Sequence, residues 1–116
     1  MSVKDRRRDD FAARLATGLA AYALGRAADD VMTPERGGAE ISEVRHLAMY
    51  LAHVGFSMSM TRVGEVFGRD RSTVAYACRR IEDARDDARF DQWIDALEGA
   101  LREAPPPDSH PRERRA

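Results

Sequence analysis

The sequence predicts an all-α fold built around a helix-turn-helix. Apolar residues recur at spacings of three and four, and no segment alternates apolar and polar with period two. A short capped helical stretch is followed, across one glycine, by a longer one. A length of 116 residues suits one domain with one modest core. The hydrophobic fraction of 43% and charged fraction of 34% are those of a soluble protein, and no apolar run approaches the roughly 20 residues of a membrane-spanning helix. The N-terminal decad is charged and has no apolar signal core, so a cytoplasmic location and no membrane partner are expected.

The elements follow in order. Residues 1–10 are dominated by charge, and residues 104–116 combine three consecutive prolines with charge, so both are expected to be disordered ends around a folded unit at 11–103. Phe11, Leu15, Leu19 and Tyr22 predict the inward face of a first helix reaching about Ala28, weakened by Gly18 and Gly25. After a turn-rich stretch from Thr33 to Gly38, Val44, Leu47, Ala48 and Leu51 predict the buried stripe of a second long helix. Ser42 is its expected N-cap and Gly55 its stop. Ser59 should cap a helix of about eight residues that ends at a left-handed Gly68. Asp70 should cap the next, over about residues 71–86, with Val74, Ala77, Cys78 and Ile81 inward. Phe90, Trp93, Ile94, Leu97 and Leu101 mark a closing helix.

Little here suggests an enzyme. The one cysteine, Cys78, sits in a helical pattern and reads as a small core hydrophobe, while His46, His53 and His110 are too scattered for a metal site, so no cofactor is expected. A helix-turn-helix presents the start of its second helix to base edges in the major groove. Those positions are Arg71, Ser72, Thr73, Ala75 and Tyr76, and they suit base reading: arginine bonds guanine O6 and N7, and the hydroxyls and methyls meet the remaining edges. Arg79, Arg80, Arg62, Arg69 and the backbone amides of Met60 and Thr61 are placed to meet phosphates. The net charge is −1, yet Ser59–Ile81 carries five arginines against Glu65 and Asp70, so the basic character is local. The competing reading is that this unit serves packing or protein contact and its arginines are a solvated face. The excess of arginine over lysine fits either phosphate contacts or GC-rich codons.

The stretch Arg45-His-Leu-Ala-Met-Tyr-Leu-Ala52, with Val63-Gly-Glu-Val-Phe-Gly68 and Arg69-Asp-Arg-Ser-Thr-Val-Ala-Tyr-Ala-Cys-Arg-Arg-Ile-Glu82, resembles the C-terminal DNA-binding domain of the DnaA replication-initiator family. That family shows Arg-x-x-Ala-Met-Tyr-Leu-Ala, then Gly-Arg-Asp-His-Thr-Thr-Val running into His-Ala-Cys-Arg-Lys-Ile. The resemblance implies a Trp-repressor-like bundle of about five to six helices. It also implies that Arg71, Ser72 and Thr73 stand where the family has a base-contacting histidine and two threonines, with Asp70 at the family's aspartate. By the same resemblance Arg45 contacts the backbone, the helix start at Met60 and Thr61 touches phosphate, and His53 replaces a lysine near the DNA.

Departures matter as much. The loop before the second long helix, basic in the family, here reads Pro-Glu-Arg-Gly-Gly-Ala-Glu; Arg36 is its only cation, and Glu35 and Glu40 oppose phosphate. Arginine in place of histidine at position 71 should alter base preference, and the turn has one glycine where the family often has two. No Gly-x-x-x-x-Gly-Lys-Ser/Thr loop is present, so no nucleotide is expected, and the chain reads as a stand-alone relative without the ATPase domain. Two functions remain open. One is sequence-specific binding of double-stranded DNA, at a site like the DnaA box, regulating replication initiation or transcription on the nucleoid. The other is a protein-interaction adaptor acting on DnaA or its regulators, with little DNA binding of its own.

Overall fold

A helix that is apolar on every side belongs in the centre of a bundle, and Val44 with the run from Leu47 to Ala52 is buried throughout. The computed structural model describes residues 2–26 and 38–111. In chain order it contains α1 (Val3–Ala23), α2 (Ala39–Gly55), α3 (Met60–Phe67), α4 (Arg71–Ala84) and α5 (Ala88–Glu103), with no strand among the described residues. The apolar helix is α2, and it packs on each of the other four. The all-α bundle expected from the sequence is the one that forms. Residues 33–37 of the turn-rich stretch, Arg36 among them, lie outside the described residues.

The first helix departs from expectation twice. Residues 3–10, expected from their charge to belong to a disordered end, form its first turns: Ser2 caps them, accepting from the Asp5 amide at 3.1 Å, and Asp9 turns inward. Charge alone does not prevent a helix when its one buried carboxylate finds a partner. The buried face is also a different one, made of Asp9, Ala12, Ala13, Ala16, Thr17, Ala20 and Ala21. Leu15 and Tyr22 are exposed, and Phe11 and Leu19 are half-buried at the edges. Helix separation depends on the side chains at the contact, so alanines let α1 lie close against α2, where a leucine and tyrosine face would hold it off. The helix stops at Ala23 because Gly25, at φ +71°, takes the left-handed position that releases the Arg26 amide to the Ala21 carbonyl at 2.7 Å.

The remaining caps divide between hits and misses. α2 begins three residues before Ser42, with Gly38 as N-cap, so Ser42 is helical and Gly55 is its last residue. Ser59 caps α3, accepting from the Arg62 amide at 3.1 Å, and Gly68 ends it at φ +67°. Asp70 holds the cap position of α4 with extended backbone, but its carboxylate accepts no capping bond. α4 ends at Ala84, two residues short of the expected limit, and Asp87 caps α5 through the amides of Arg89 and Phe90. Ile94, Leu97 and Leu101 enter the core, with Phe90 and Trp93 half-buried beside it. After Glu103 the described chain leaves the helix.

Cys78 lies on the inward face of α4, and burial, then the nearby Glu82 carboxylate, push its thiol from about 9 up to about 11. The thiolate is the reactive form, so a disulfide reagent at pH 8 should modify the native chain slowly and the urea-unfolded chain at once. Rapid native modification would contradict this burial. Because the folded thiol holds its proton longer than the unfolded one, its contribution to stability is complete below pH 9 and is lost as pH rises toward 11.

Candidate nucleic-acid interface

The site is built where α3 and α4 meet. Gly64 sits on the inner side of α3, and the chain folds back so closely there that the Arg69 amide donates to the Gly64 carbonyl at 2.8 Å. That contact sets the angle between the two helices and brings the start of α4 to the surface. Val74, Ala77 and Cys78 anchor α4 to the core, so the opposite positions face outward by helical period. Arg71 and Ser72 are exposed, Thr73 and Ala75 are half-buried, and Tyr76 is 50% exposed. The five positions expected to read bases therefore form one continuous outer strip on the first turns of α4.

Cations flank that strip. Arg79 and Arg80 are exposed one to two turns further along α4, and Arg69 is exposed in the turn. Arg80 is not loose: it donates to the Tyr76 hydroxyl at 3.1 Å and lies over that ring at 5.8 Å, while His46 meets the ring edge-on at 5.9 Å. Arg45 and Arg69 approach each other. Partial burial, then the charge of Arg69, lower the pKa of Arg45, and burial, then Arg80 and Arg45, hold His46 below its ordinary value of 6.5. Each of these shifts marks a place where positive charge is disfavoured and an anion would relieve it. Among the described residues, Arg45, Arg69, Arg71 and Arg79 have no carboxylate partner.

Two of the expected phosphate contacts, His53 and Arg62, are engaged within the fold. Met60 and Thr61 form the first turn of α3, with Met60 half-buried and Thr61 exposed. His53 donates through Nδ1 to the Met58 carbonyl at 2.6 Å, so it fastens the loop between α2 and α3, and only Nε2 is left for another partner. Arg62 is engaged by Asp9, with Nε donating to Oδ2 at 3.0 Å and a second bond from the guanidinium to Oδ1. The sequence reading missed Asp9, Gly64 and the pairing of His46 with Tyr76. Only Gly64 left a local signal: a glycine inside an eight-residue helix costs about 1 kcal/mol relative to alanine and so asks for a reason.

No group of three or more His, Cys, Asp or Glu able to hold a metal occurs among the described residues, and none of the described helices is long and apolar enough to cross a membrane. A groove of about 440 Å³ beside the site is lined by Leu24, Leu47, Ile81, Phe90 and Trp93, with Arg80 and Glu43 among its polar lining residues.

Comparison with known proteins agrees with the helix-turn-helix fold. A solved crystal structure described as a DNA replication initiation factor superposes with a TM-score of 0.73 over 86% of this chain and 31% of that one, at 24% identity, which shows the fold. The chromosomal replication initiator protein DnaA of Tropheryma whipplei is 49% identical over 45 residues, 39% of this chain and 9% of that protein. DnaA of Thermodesulfovibrio yellowstonii is 34% identical over 77 residues, 65% of this chain and 17% of that protein. DnaA of Ralstonia nicotianae is 38% identical over 73 residues, 61% of this chain and 14% of that protein. The chain thus spans less than a fifth of the length of these curated relatives. Residues 21–81, more than half of the chain, match the family described as the bacterial DnaA protein helix-turn-helix, and the chain belongs to that family.

Proposed function

We propose that the chain is a sequence-specific reader of double-stranded DNA that lays α4 in the major groove and regulates replication initiation or transcription. The observation that carries this is the outer strip of α4, where Arg71, Ser72, Thr73, Ala75 and Tyr76 lie close to Arg45, Arg69 and Arg79, which have no carboxylate partner among the described residues. Arg71 reads a guanine edge, and the hydroxyls and methyls beside it read the adjoining pairs. Arg45, Arg69, Arg79 and Arg80, with the amides of Met60 and Thr61, hold the backbone; Arg80 reaches it from its seat on Tyr76. Arg36 and His53 have lesser parts, Arg36 as the loop's one cation and His53 through Nε2. A site like the DnaA box is the first target to try, with its preferred bases changed at the Arg71 position.

Anisotropy titrations of a DnaA-box duplex and a scrambled duplex across a salt series test this reading. Arg71→Ala should weaken binding to the preferred duplex about tenfold or more, a loss of about 1–3 kcal/mol, and leave the scrambled duplex nearly unaffected. Equal loss on both duplexes would make Arg71 a backbone contact; no binding to any duplex, including one selected from a random library, would remove the DNA reading. The apolar groove with Phe90 and Trp93 favours a second reading, contact with a protein of the initiation machinery such as DnaA or its regulators. Under that reading Trp93→Ala, and not Arg71→Ala, should abolish capture of purified DnaA.

A further inference from the structure

The pair formed by Asp9 and Arg62 joins the first turns of α1 to the first turn of α3 across 53 residues of sequence. Asp9 is 4% exposed and Arg62 is half-buried, with 38% of its side chain accessible. The two bonds take Nε and a terminal nitrogen of the guanidinium to the two oxygens of one carboxylate, a fork geometry that fixes direction as well as distance. The Arg62 backbone is meanwhile fixed by the Ser59 cap. Arg62 thus stands beside the Met60 and Thr61 amides at the proposed phosphate-facing end of α3, while its charge is spent inward.

We propose that Asp9 is a positioning residue that withholds Arg62 from DNA, so that α3 meets the phosphate backbone through its amides and affinity for random sequence is held down. The inference rests on the DNA-binding reading above. Its physical basis is an inequality. A phosphate that drew Arg62 away would take from the buried Asp9 carboxylate the guanidinium that bonds both its oxygens, and breaking a buried pair costs more than a solvent-exposed arginine–phosphate contact returns. Backbone contacts strengthen binding to every sequence alike, so one withheld cation lowers the affinity for all DNA, random sequence included, and leaves discrimination to the base contacts of α4.

The test is a salt series on the scrambled duplex with the full chain. Asp9→Ala extends the alanine face of α1 and frees Arg62. It should tighten binding several-fold at low salt and steepen the plot of log affinity against log salt by about one. Asp10→Ala removes the same charge from an exposed neighbour without freeing Arg62, and should leave the slope at its wild-type value. Arg62→Gln should also keep the wild-type slope, and Asp9→Ala with Arg62→Gln should return to it. A slope reduced by about one in Arg62→Gln alone would show that Arg62 already touches phosphate and would overturn the proposal with the DNA reading intact. An unchanged slope in Asp9→Ala, with helix content retained by circular dichroism, would overturn it too. Absence of binding by the wild-type chain would remove both readings together.

Discussion

Arg85→Ala is expected to cost the fold about 3 kcal/mol, a large share of the roughly 5–15 kcal/mol by which domains of this size are stable. Arg85 closes α4, and its guanidinium gathers four partners from two other helices. It donates to Asp91, to the Tyr50 hydroxyl at 2.9 Å, to Glu98 at 3.1 Å and to Asp95. The Asp91 bond, acting first against burial, holds the pKa of Arg85 far above its ordinary value. The partners are not equal. Asp95 is 61% and Asp91 41% exposed, so solvent screens both, and Asp95→Ala should change stability by less than about 0.5 kcal/mol.

Glu98 is 8% exposed and Tyr50 3%, and each depends on Arg85 for its buried polar atoms. Truncating Arg85 therefore strands a carboxylate and a phenol in the core, and the cost comes from those two groups rather than from lost surface pairing. Urea unfolding followed by circular dichroism reads the loss directly. Glu98→Gln in the Arg85→Ala background should recover part of it, because the stranded charge is then gone. No recovery, or a loss of only a few tenths of a kcal/mol in the single variant, would mean that water already satisfies Glu98.

Arg85 also shows where the sequence stops being legible. The helix-turn-helix was readable because its information is local: Ser59 and Gly68 are a cap and a stop at fixed offsets, and Val74, Ala77 and Cys78 keep a helical period. The outer strip of α4 follows from the same period. The inward face of α1 was not readable, because two apolar faces compete on that helix, and the choice between Leu15 with Tyr22 and the alanines is made by α2, not by α1. The pairs of Asp9 with Arg62 and of Arg85 with Glu98 and Tyr50 were invisible for a related reason. A charge in a charge-rich sequence names no partner, and the partners lie 53, 13 and 35 residues away. Ser42 is not the cap of α2 because a capping residue also occurs inside helices, and the cap, Gly38, offers no side chain to recognise.

The second large effect is expected at Gly64, where alanine should be worse than glycine although it is the better helix former. A Cβ at position 64 would lie 2.6 Å from the Arg69 carbonyl oxygen, 3.5 Å from the Arg71 nitrogen and 3.6 Å from the Asp70 carbonyl carbon. All three are backbone atoms, so no side chain can swing away, and the turn itself must move. Overpacking of this kind costs about 1–3 kcal/mol, and the upper end applies because the displaced segment also carries the hydrogen bond between Arg69 and Gly64. Gly18 is the internal control: it lies inside α1, and a Cβ added there would meet nothing within 4 Å, so Gly18→Ala should stabilise by about 0.5–1 kcal/mol. The urea midpoints should therefore run Gly18→Ala, wild type, Gly64→Ala from highest to lowest, at similar denaturant slopes. The same displacement shifts Arg71 on the outer strip and Arg69 beside it, so the folded fraction of Gly64→Ala should also lose its preference for the specific duplex. If Gly64→Ala proved as stable as wild type and still discriminated between duplexes, the turn would be free to yield, and the close approach of α3 to α4 would not be what aims the reading helix.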